Sequence, residues 1–298
     1  MSGPSESATC RECGGSGYVV EQVLGRPARA RRCACQASCR RCAGTGYVLV
    51  PSGASQVAQP CECRHLGERI ALFNAVGIPA ALAQASFESF KTWSPDHAAA
   101  KAKAEDFARK LRPDQASKGF LLYGRPGAGK THLLVAALRY LALEKGVASR
   151  YVEFMLLLSD IRAGFDSNRG HMEVLRPLIQ VPVLAIDELG KERGTDWERS
   201  MLDELISRRF NSGLTTLFAT NYFLYDSENP VKEEPGRMVN TGSSRFAREA
   251  EAMTLERRVG DRIFSRLNEM CTFVKLDPGY DSRKDLRTSG SATGLWKG

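Results

Sequence analysis

One glycine-rich segment constrains the fold of this chain more than any other feature. Residues 124–131 read GRPGAGKT, which fits the pattern G-x-x-x-x-G-K-[ST]. The apolar run 120–123 before it is typical of a buried strand, and the apolar periodicity of 133–143 after it is typical of a helix. Strand, loop and helix in this order predict a phosphate-binding P-loop in an α/β fold, with a parallel sheet flanked by helices.

Each residue type in this loop has a chemical task in binding a nucleoside triphosphate, ATP or GTP. The backbone N–H groups wrap the phosphates, Lys130 reaches the β- and γ-phosphates, and Thr131 ligates Mg²⁺. We expect His132 to be structural rather than catalytic, because phosphoryl transfer needs no histidine. The predicted nucleotide-binding residues are Gly124, Arg125, Pro126, Gly127, Ala128, Gly129, Lys130, Thr131 and His132.

Polar residues follow two further apolar runs. Asp187 and Glu188 come after the run 183–186, and Asn221 comes after the run 216–220. In a parallel sheet the carboxyl ends of the strands face the nucleotide. We therefore predict that Asp187 holds Mg²⁺, that Glu188 polarises water and that Asn221 touches the γ-phosphate or the attacking water. With Lys130, these residues predict a magnesium-dependent ATPase.

Eight of the nine cysteines lie before residue 64, in two copies of one pattern. Each copy has a CxxC pair, a glycine-containing turn, a Tyr-Val dipeptide and a CxC pair. Two such pairs supply the four thiolates that Zn²⁺ prefers, so the sequence predicts a small β-hairpin module with two Zn²⁺ ions. The predicted ligands are Cys10, Cys13, Cys33, Cys35, Cys39, Cys42, Cys61 and Cys63.

The cysteine pattern leaves two alternatives open. The repeat favours one ion per copy, whereas a nested arrangement would pair Cys10 and Cys13 with Cys61 and Cys63. A disulfide framework would need an oxidising compartment. The N-terminus has neither the basic nor the apolar region of a secretion signal, and no apolar run approaches the roughly 18 residues of a membrane span. We expect a cytoplasmic protein without a membrane partner.

The net charge of +8 favours association with nucleic acid but is equally compatible with a merely basic surface. Lys191, Arg193 and Arg199 lie shortly beyond the acidic pair, where they either contact single-stranded DNA or are solvated. Changes in composition divide the chain into a zinc module (1–66), a linker (67–92), an ATPase domain (93–281) and a flexible tail (282–298).

Three long segments then resemble a known class of protein. GRPGAGKTHL, AIDELGKERGTDWERSMLDELISRRFNSGLTTLFATNY and RIFSRLNEMCTFVKL look like the AAA+ domain of DnaC-type helicase loaders and of the related IstB-type transposition helpers, over about residues 75–285. The resemblance implies that Asn221 is the first sensor residue. It also implies that Arg266 is an arginine finger serving a neighbouring subunit, and hence a homo-oligomer through AAA+ interfaces.

The cysteine module carries its own resemblances. CxxCxGxG is similar to the zinc repeats of DnaJ-type chaperones, and a zinc module before such an ATPase resembles the DnaI arrangement. These resemblances imply a helicase loader in DNA replication that binds single-stranded DNA and a replicative helicase. Two alternatives are an IstB-type transposition helper and a zinc module that binds nucleic acid or chaperone clients under ATP control. The segment 225–258 is longer and more polar than the family pattern.

Overall fold

The structure, a computed structural model, describes residues 10–36, 39, 41–43, 45–53, 55–166, 170–191, 194–224 and 254–276 of the 298-residue chain. The strands are β1 (Tyr18–Glu21), β2 (Arg29–Arg32), β3 (Tyr47–Ser52), β4 (Ser55–Pro60), β5 (Gly119–Tyr123), β6 (Ser149–Glu153), β7 (Val183–Asp187), β8 (Thr215–Thr220) and β9 (Cys271–Lys275). The helices are α1 (Glu62–Val76), α2 (Pro95–Lys110), α3 (Lys130–Leu143), α4 (Phe154–Asp166), α5 (His171–Gln180), α6 (Asp196–Asn211), α7 (Leu255–Val259) and α8 (Asp261–Met270).

The larger part of the fold is a parallel five-stranded sheet in the order β6-β7-β8-β5-β9. Every residue of its inner strands β5, β7 and β8 is buried, because helices cover both faces of the sheet. Alternation along β5 shows this directly, since Phe120 and Leu122 face one core and Leu121 faces the other. The first core contains α2 and α3, and the second contains α4, α5, α6 and α8.

Two antiparallel hairpins precede the sheet, β1 with β2 and β3 with β4. Their turns repeat the same contacts, since the hydroxyls of Ser16 and Thr45 each donate to the carbonyl of the cysteine three residues earlier, at 2.7 Å in both cases. The internal repeat of the sequence is therefore also a repeat of backbone structure. The surroundings of the two hairpins differ, however.

The first hairpin is packed onto the ATPase half of the chain. Val20, Ala28 and Ala30 are buried in the same core as the residues of α3. The N–H of Ala28 donates to the carbonyl of Ile78 at 2.8 Å. At the equivalent place in the second repeat, Leu49 is 66% exposed where Val20 is 6% exposed. One hairpin is thus part of the main core, and the other stands out from it.

The predicted boundaries of the domains remain predictions, but two of the segments have a described structure. Residues 67–92, predicted as a linker, include most of α1 and a run of buried side chains such as Phe73, Val76 and Ile78. α1 packs against α3 and β6 and so joins the zinc module to the ATPase half without a break. The predicted tail at 282–298 and residues 225–253 of the polar segment lie outside the described residues.

None of the helices in the described part of the chain combines the length and the apolar character that a membrane crossing requires.

Candidate functional site

The glycine loop joins β5 to α3 and has the backbone conformation that only glycine adopts readily. Gly127 and Gly129 have positive φ values of 82° and 92°. Gly129 is also in close contact with Phe90, because a Cβ at this position would come within 2.7 Å of the Phe90 ring. The loop therefore needs glycine at 129 for two separate reasons, its backbone angle and the packing behind it.

Lys130 begins α3 and is 6% exposed. Its ammonium group donates to the carbonyls of Gly124 at 2.8 Å and Arg125 at 2.7 Å. The charge is thus held against the first two residues of the loop, and Lys130 itself begins the helix, where backbone N–H groups favour an anion. The loop and its lysine form a cradle suited to phosphate groups.

The acidic pair lies at the carboxyl end of β7. Asp187 is 5% exposed, and its two oxygens accept hydrogen bonds from the Tyr151 hydroxyl at 2.9 Å and from the backbone N–H of Glu188 at 2.8 Å. Burial, followed by the charge of Asp187, raises the pKa of the Tyr151 hydroxyl, so this phenol stays a donor. Tyr151 fixes the orientation of a carboxylate that is a hard oxygen ligand of the kind Mg²⁺ prefers.

A third carboxylate stands beside this pair. Glu153 ends β6 and lies opposite Asp187 in the register of the sheet. Burial, together with the charges of Glu188 and Asp187, raises the pKa of the Glu153 carboxyl. Three acidic groups at one sheet edge concentrate negative charge that a divalent cation would offset.

Glu188 has a φ of 56°, a strained value for a residue other than glycine. Both of its carboxylate oxygens accept hydrogen bonds from the Lys191 ammonium group, at 2.8 and 2.7 Å. The predicted water-polarising residue is therefore engaged in an ion pair within its own turn.

Asn221 follows β8 and is exposed. The register pairs Tyr123 of β5 with Thr220 of β8, and Ile186 of β7 with Phe218 of β8. The glycine loop, the acidic pair and Asn221 therefore leave the sheet at the same edge, as the carboxyl ends of parallel strands do.

Arg266 lies on α8 and is 18% exposed. Its guanidinium donates to Asp203 Oδ1 at 2.6 Å and to the hydroxyl of Ser207, both on α6. The predicted arginine finger is thus held by its own subunit. Arg262, one turn earlier, is 72% exposed and lies 3.6 Å from the same carboxylate.

His132 contacts the segment 86–90 that precedes α2. Its Nε2 donates to the carbonyl of Ser86 at 2.9 Å and lies 3.2 Å from the Ser89 hydroxyl, while its ring meets Phe90 edge-on. Burial lowers the pKa of the His132 imidazole, which favours the neutral ring. These contacts fit the structural role expected of this residue.

The cysteines form two groups, one from each sequence repeat. The four Sγ atoms of each group lie within 4.8 Å of one another. The groups are Cys10, Cys13, Cys33 and Cys35, and Cys39, Cys42, Cys61 and Cys63. The structure thus has one cysteine group in each repeat and not the nested arrangement.

The sulfur spacing fits a tetrahedral metal. Sγ separations such as 3.7 Å for Cys10 and Cys33 and 3.4 Å for Cys42 and Cys63 approach the value of about 3.8 Å that Zn–S bonds of 2.3 Å imply.

Hydrogen bonding from the backbone of Gly17 lowers the pKa of the Cys13 thiol to about 7. The neighbouring thiols, Cys42 first, raise the pKa of Cys63 to about 12. Four thiols this close ionise together only when a cation offsets their charge.

Several contacts that act on the site were not anticipated from the sequence. Tyr151 orients Asp187, Lys191 pairs with Glu188, and Asp203 holds Arg266. A lysine three residues after an acid is a local signal that could have been noticed. Tyr151 and Asp203 act across 36 and 63 residues of sequence and leave no local pattern.

The strand order, the glycine loop and the acidic residues at the end of β7 define a P-loop nucleotide-binding domain of the AAA+ class. The predicted fold class, a parallel α/β sheet flanked by helices and preceded by small cysteine-rich β-hairpins, is confirmed.

The sequence of the chain is similar to those of several known proteins. Residues 81–226, just under half of the chain, match the family described as IstB-like ATP binding protein. The chain is 30% identical to the uncharacterized protein YqaM of Bacillus subtilis (strain 168) over 164 residues, 51% of each chain. It is 28% identical to the replicative helicase loader DnaC of Escherichia coli (strain K12) over 150 residues, 50% of this chain and 60% of DnaC. The matches thus span about half to three fifths of these relatives.

Two solved structures have the same fold as this chain. A crystal structure of the DnaC helicase loader superposes with a TM-score of 0.53 and 25% identity, over 66% of this chain and 98% of that one. A putative primosome component from Streptococcus pyogenes serotype M3 shares the fold, with a TM-score of 0.51 and 21% identity over 69% of this chain and 94% of that one. The predicted resemblance to DnaC-type loaders and IstB-like ATPases is confirmed.

Proposed function

We propose that this chain is a cytoplasmic, Mg²⁺-dependent ATPase that assembles on single-stranded DNA and delivers a replicative helicase. The observation that carries the ATPase part is the convergence at one sheet edge of the Lys130 cradle, the Asp187–Glu188 pair and Asn221. In this proposal Thr131 and Asp187 hold Mg²⁺, Lys130 contacts the phosphates, and Glu188 and Asn221 position the attacking water. The bound Mg²⁺ would offset charge that develops on the transferred phosphoryl group.

The DNA-binding part is supported by cations beside the acidic pair. Lys191 is 56% exposed, and Arg199 lies on the first turn of α6 beside Gly194. Arg193, the third predicted cation, lies outside the described residues. Such cations attract the phosphate backbone without reading the bases, so the affinity should fall as salt rises.

The helicase-binding part is supported by the likeness to DnaC loaders and by the second hairpin. Tyr47 and Leu49 of β3 are 45 and 66% exposed, and they lie on the same face of the hairpin. The first hairpin packs against α1 instead, where the Asn74 side chain forms two hydrogen bonds with the backbone of Ala30. We assign the second hairpin, held by its own zinc ion, to contact with the helicase.

The proposed assembly into a homo-oligomer involves Arg266. We propose that assembly brings this arginine to the nucleotide of the neighbouring subunit, as the resemblance implies, in place of its contact with Asp203. The Arg266–Asp203 pair would then belong to the isolated subunit.

A transposition helper is the second candidate, because residues 81–226 match the IstB-like family. The cysteine hairpins favour the loader, since transposition helpers of this type usually begin with a helical module. A nucleic-acid or chaperone-client binder switched by ATP is the third.

The deciding experiment captures partners with the full chain in the presence of ATP and Mg²⁺. The proposal expects capture of the replicative helicase of the source organism, and loss of capture in Leu49→Ser. Leu24→Ser makes the same change at a residue of the first hairpin that is 89% exposed. It is the matched control and should leave capture intact. Capture of a transposase instead would favour the second candidate.

The DNA part is tested separately with labelled oligothymidine. ATP-dependent binding that weakens with salt supports the proposal. Binding that is unaffected by Lys130→Ala would show that nucleotide does not control assembly on DNA, and would contradict it.

A further inference from the structure

We propose that Lys191 is a positioning residue for Glu188, which it restrains through an ion pair, and that the phosphate backbone of a bound single strand releases this restraint. The inference rests on the proposed ATPase function and names how DNA would regulate it.

The restraint follows from the hydrogen bonds of the carboxylate. Both oxygens of Glu188 accept from the Lys191 ammonium group, at 2.8 and 2.7 Å. A residue that polarises water must instead accept a hydrogen bond from that water. While the ion pair is closed, Glu188 is held away from this task.

The backbone between Glu188 and Lys191 is held by its own contacts, so its movement does not release the ion pair. Leu189 donates to the carbonyl of Ala219 on β8 at 3.0 Å, and the Thr220 hydroxyl donates back to the Leu189 carbonyl at 2.7 Å. Gly190 has a φ of 86° and is enclosed, since a Cβ there would lie 3.0 Å from Tyr222 and 3.2 Å from Leu255. The guanidinium of Arg258 also donates to the Gly190 carbonyl at 2.7 Å.

The movable part is therefore the Lys191 side chain. It is 56% exposed, whereas the Glu188 side chain is 29% exposed. Exposed ion pairs are weak and are screened by salt. A DNA phosphate is an anion of the kind that competes for an ammonium group, and its approach would draw Lys191 from Glu188 while leaving the turn in place.

The first arm of the test measures steady-state ATP hydrolysis without DNA. Lys191→Ala should raise kcat about two- to fivefold with little change in KM, the range that an exposed ion pair supports. Lys191→Arg keeps the charge and should keep the low rate. Added salt should raise the wild-type rate by screening the pair and should leave the Lys191→Ala rate nearly constant, a difference that a merely structural role would not produce.

The second arm adds oligothymidine at saturating concentration. DNA should stimulate the wild-type enzyme and Lys191→Arg more than Lys191→Ala. Lys110→Ala is the matched control, since Lys110 is an exposed lysine in an ion pair with Asp106 on α2, and it should keep both the wild-type basal rate and the wild-type stimulation by DNA. The double variant Glu188→Gln with Lys191→Ala should hydrolyse ATP no faster than Glu188→Gln alone, and a faster rate in the double variant would contradict action through Glu188.

The outcomes separate this inference from the proposed function. A basal rate of Lys191→Ala equal to or below that of the wild type overturns the inference and leaves the ATPase standing. Equal stimulation by DNA in the wild type and Lys191→Ala overturns release by phosphate. A wild-type rate no higher than that of Lys130→Ala under every condition overturns both.

Discussion

Asn74 on α1 binds the backbone of Ala30 on β2 at two points. Its side-chain oxygen accepts from the Ala30 N–H at 2.7 Å, and its side-chain nitrogen donates to the Ala30 carbonyl at 3.0 Å. One carboxamide therefore supplies both bonds that a neighbouring strand would otherwise supply to this edge of the hairpin.

Replacement of Asn74 by Ala should detach the first hairpin from α1. Two partly buried backbone groups lose their partners, so the free energy of unfolding should fall by about 1–3 kcal/mol. Denaturant unfolding measures this loss. Gln59→Ala, on the exposed strand β4, is the control and should change stability by less than about 0.5 kcal/mol. Equal stabilities for the two variants would contradict the role of Asn74.

The two zinc sites should differ in what their loss does to the ATPase half. We expect two zinc ions per wild-type chain and one in either Cys10→Ser or Cys39→Ser, by metal analysis of reduced protein. Cys10→Ser should destabilise the main unfolding transition more, by about 2 kcal/mol, because burial of Val20 alone contributes about that much. A larger effect of Cys39→Ser would show that the second hairpin supports the core.

Lys130→Ala should fold normally and fail to hydrolyse ATP, because it removes the charge that the cradle presents to the phosphates. Glu188→Gln should bind ATP but stall before hydrolysis. Fluorescent-nucleotide binding and phosphate release distinguish the two variants. Preserved turnover in purified Lys130→Ala would refute the assignment.

Arg266→Ala should lose hydrolysis yet complement Lys130→Ala when the two are mixed, because each supplies what the other lacks at a shared interface. Arginine fingers contribute about 10³- to 10⁵-fold in rate. Lys130→Ala mixed with Glu188→Gln is the control, since both changes disable the site of their own subunit and no mixed interface is complete. Failure to complement in variants that demonstrably co-assemble would rule out action in trans.

Arg209 should be among the least replaceable residues of the ATPase half. It is fully buried and donates to the carbonyls of Leu178 at 2.7 Å and Val181 at 2.8 Å and to the Thr216 hydroxyl at 2.9 Å. Arg209→Leu leaves these acceptors without a donor and should cost at least about 3 kcal/mol in unfolding free energy. Arg208→Ala, which removes an exposed pair with Glu204, should cost about 0.5 kcal/mol or less.

The sequence predicted the elements whose signals are local. The strand before the glycine loop and the helix after it each lie within a few residues of their predicted bounds. The two cysteine groups likewise follow the repeat, because a hairpin brings together pairs that are close in sequence.

Long-range contacts escaped prediction for a physical reason. Residues 67–92 were predicted as a linker, and the burial of Phe73 and Val76 follows from the docking of α1 on α3, not from a local pattern. β6 is short, and its two apolar residues, Tyr151 and Val152, are adjacent and flanked by polar ones, so no alternation marked it as a strand. The partners of Asp187 and Arg266 depend on how separate elements meet.

α3 connects two places that are far apart in function. It starts at Lys130, under the phosphate loop, and its 14 residues span about 21 Å. Just past its other end, Glu144 accepts a hydrogen bond from the Tyr18 hydroxyl of the first hairpin at 2.9 Å. α3 therefore links the glycine loop at its start to the first hairpin just past its end, so a tilt of this helix would displace both.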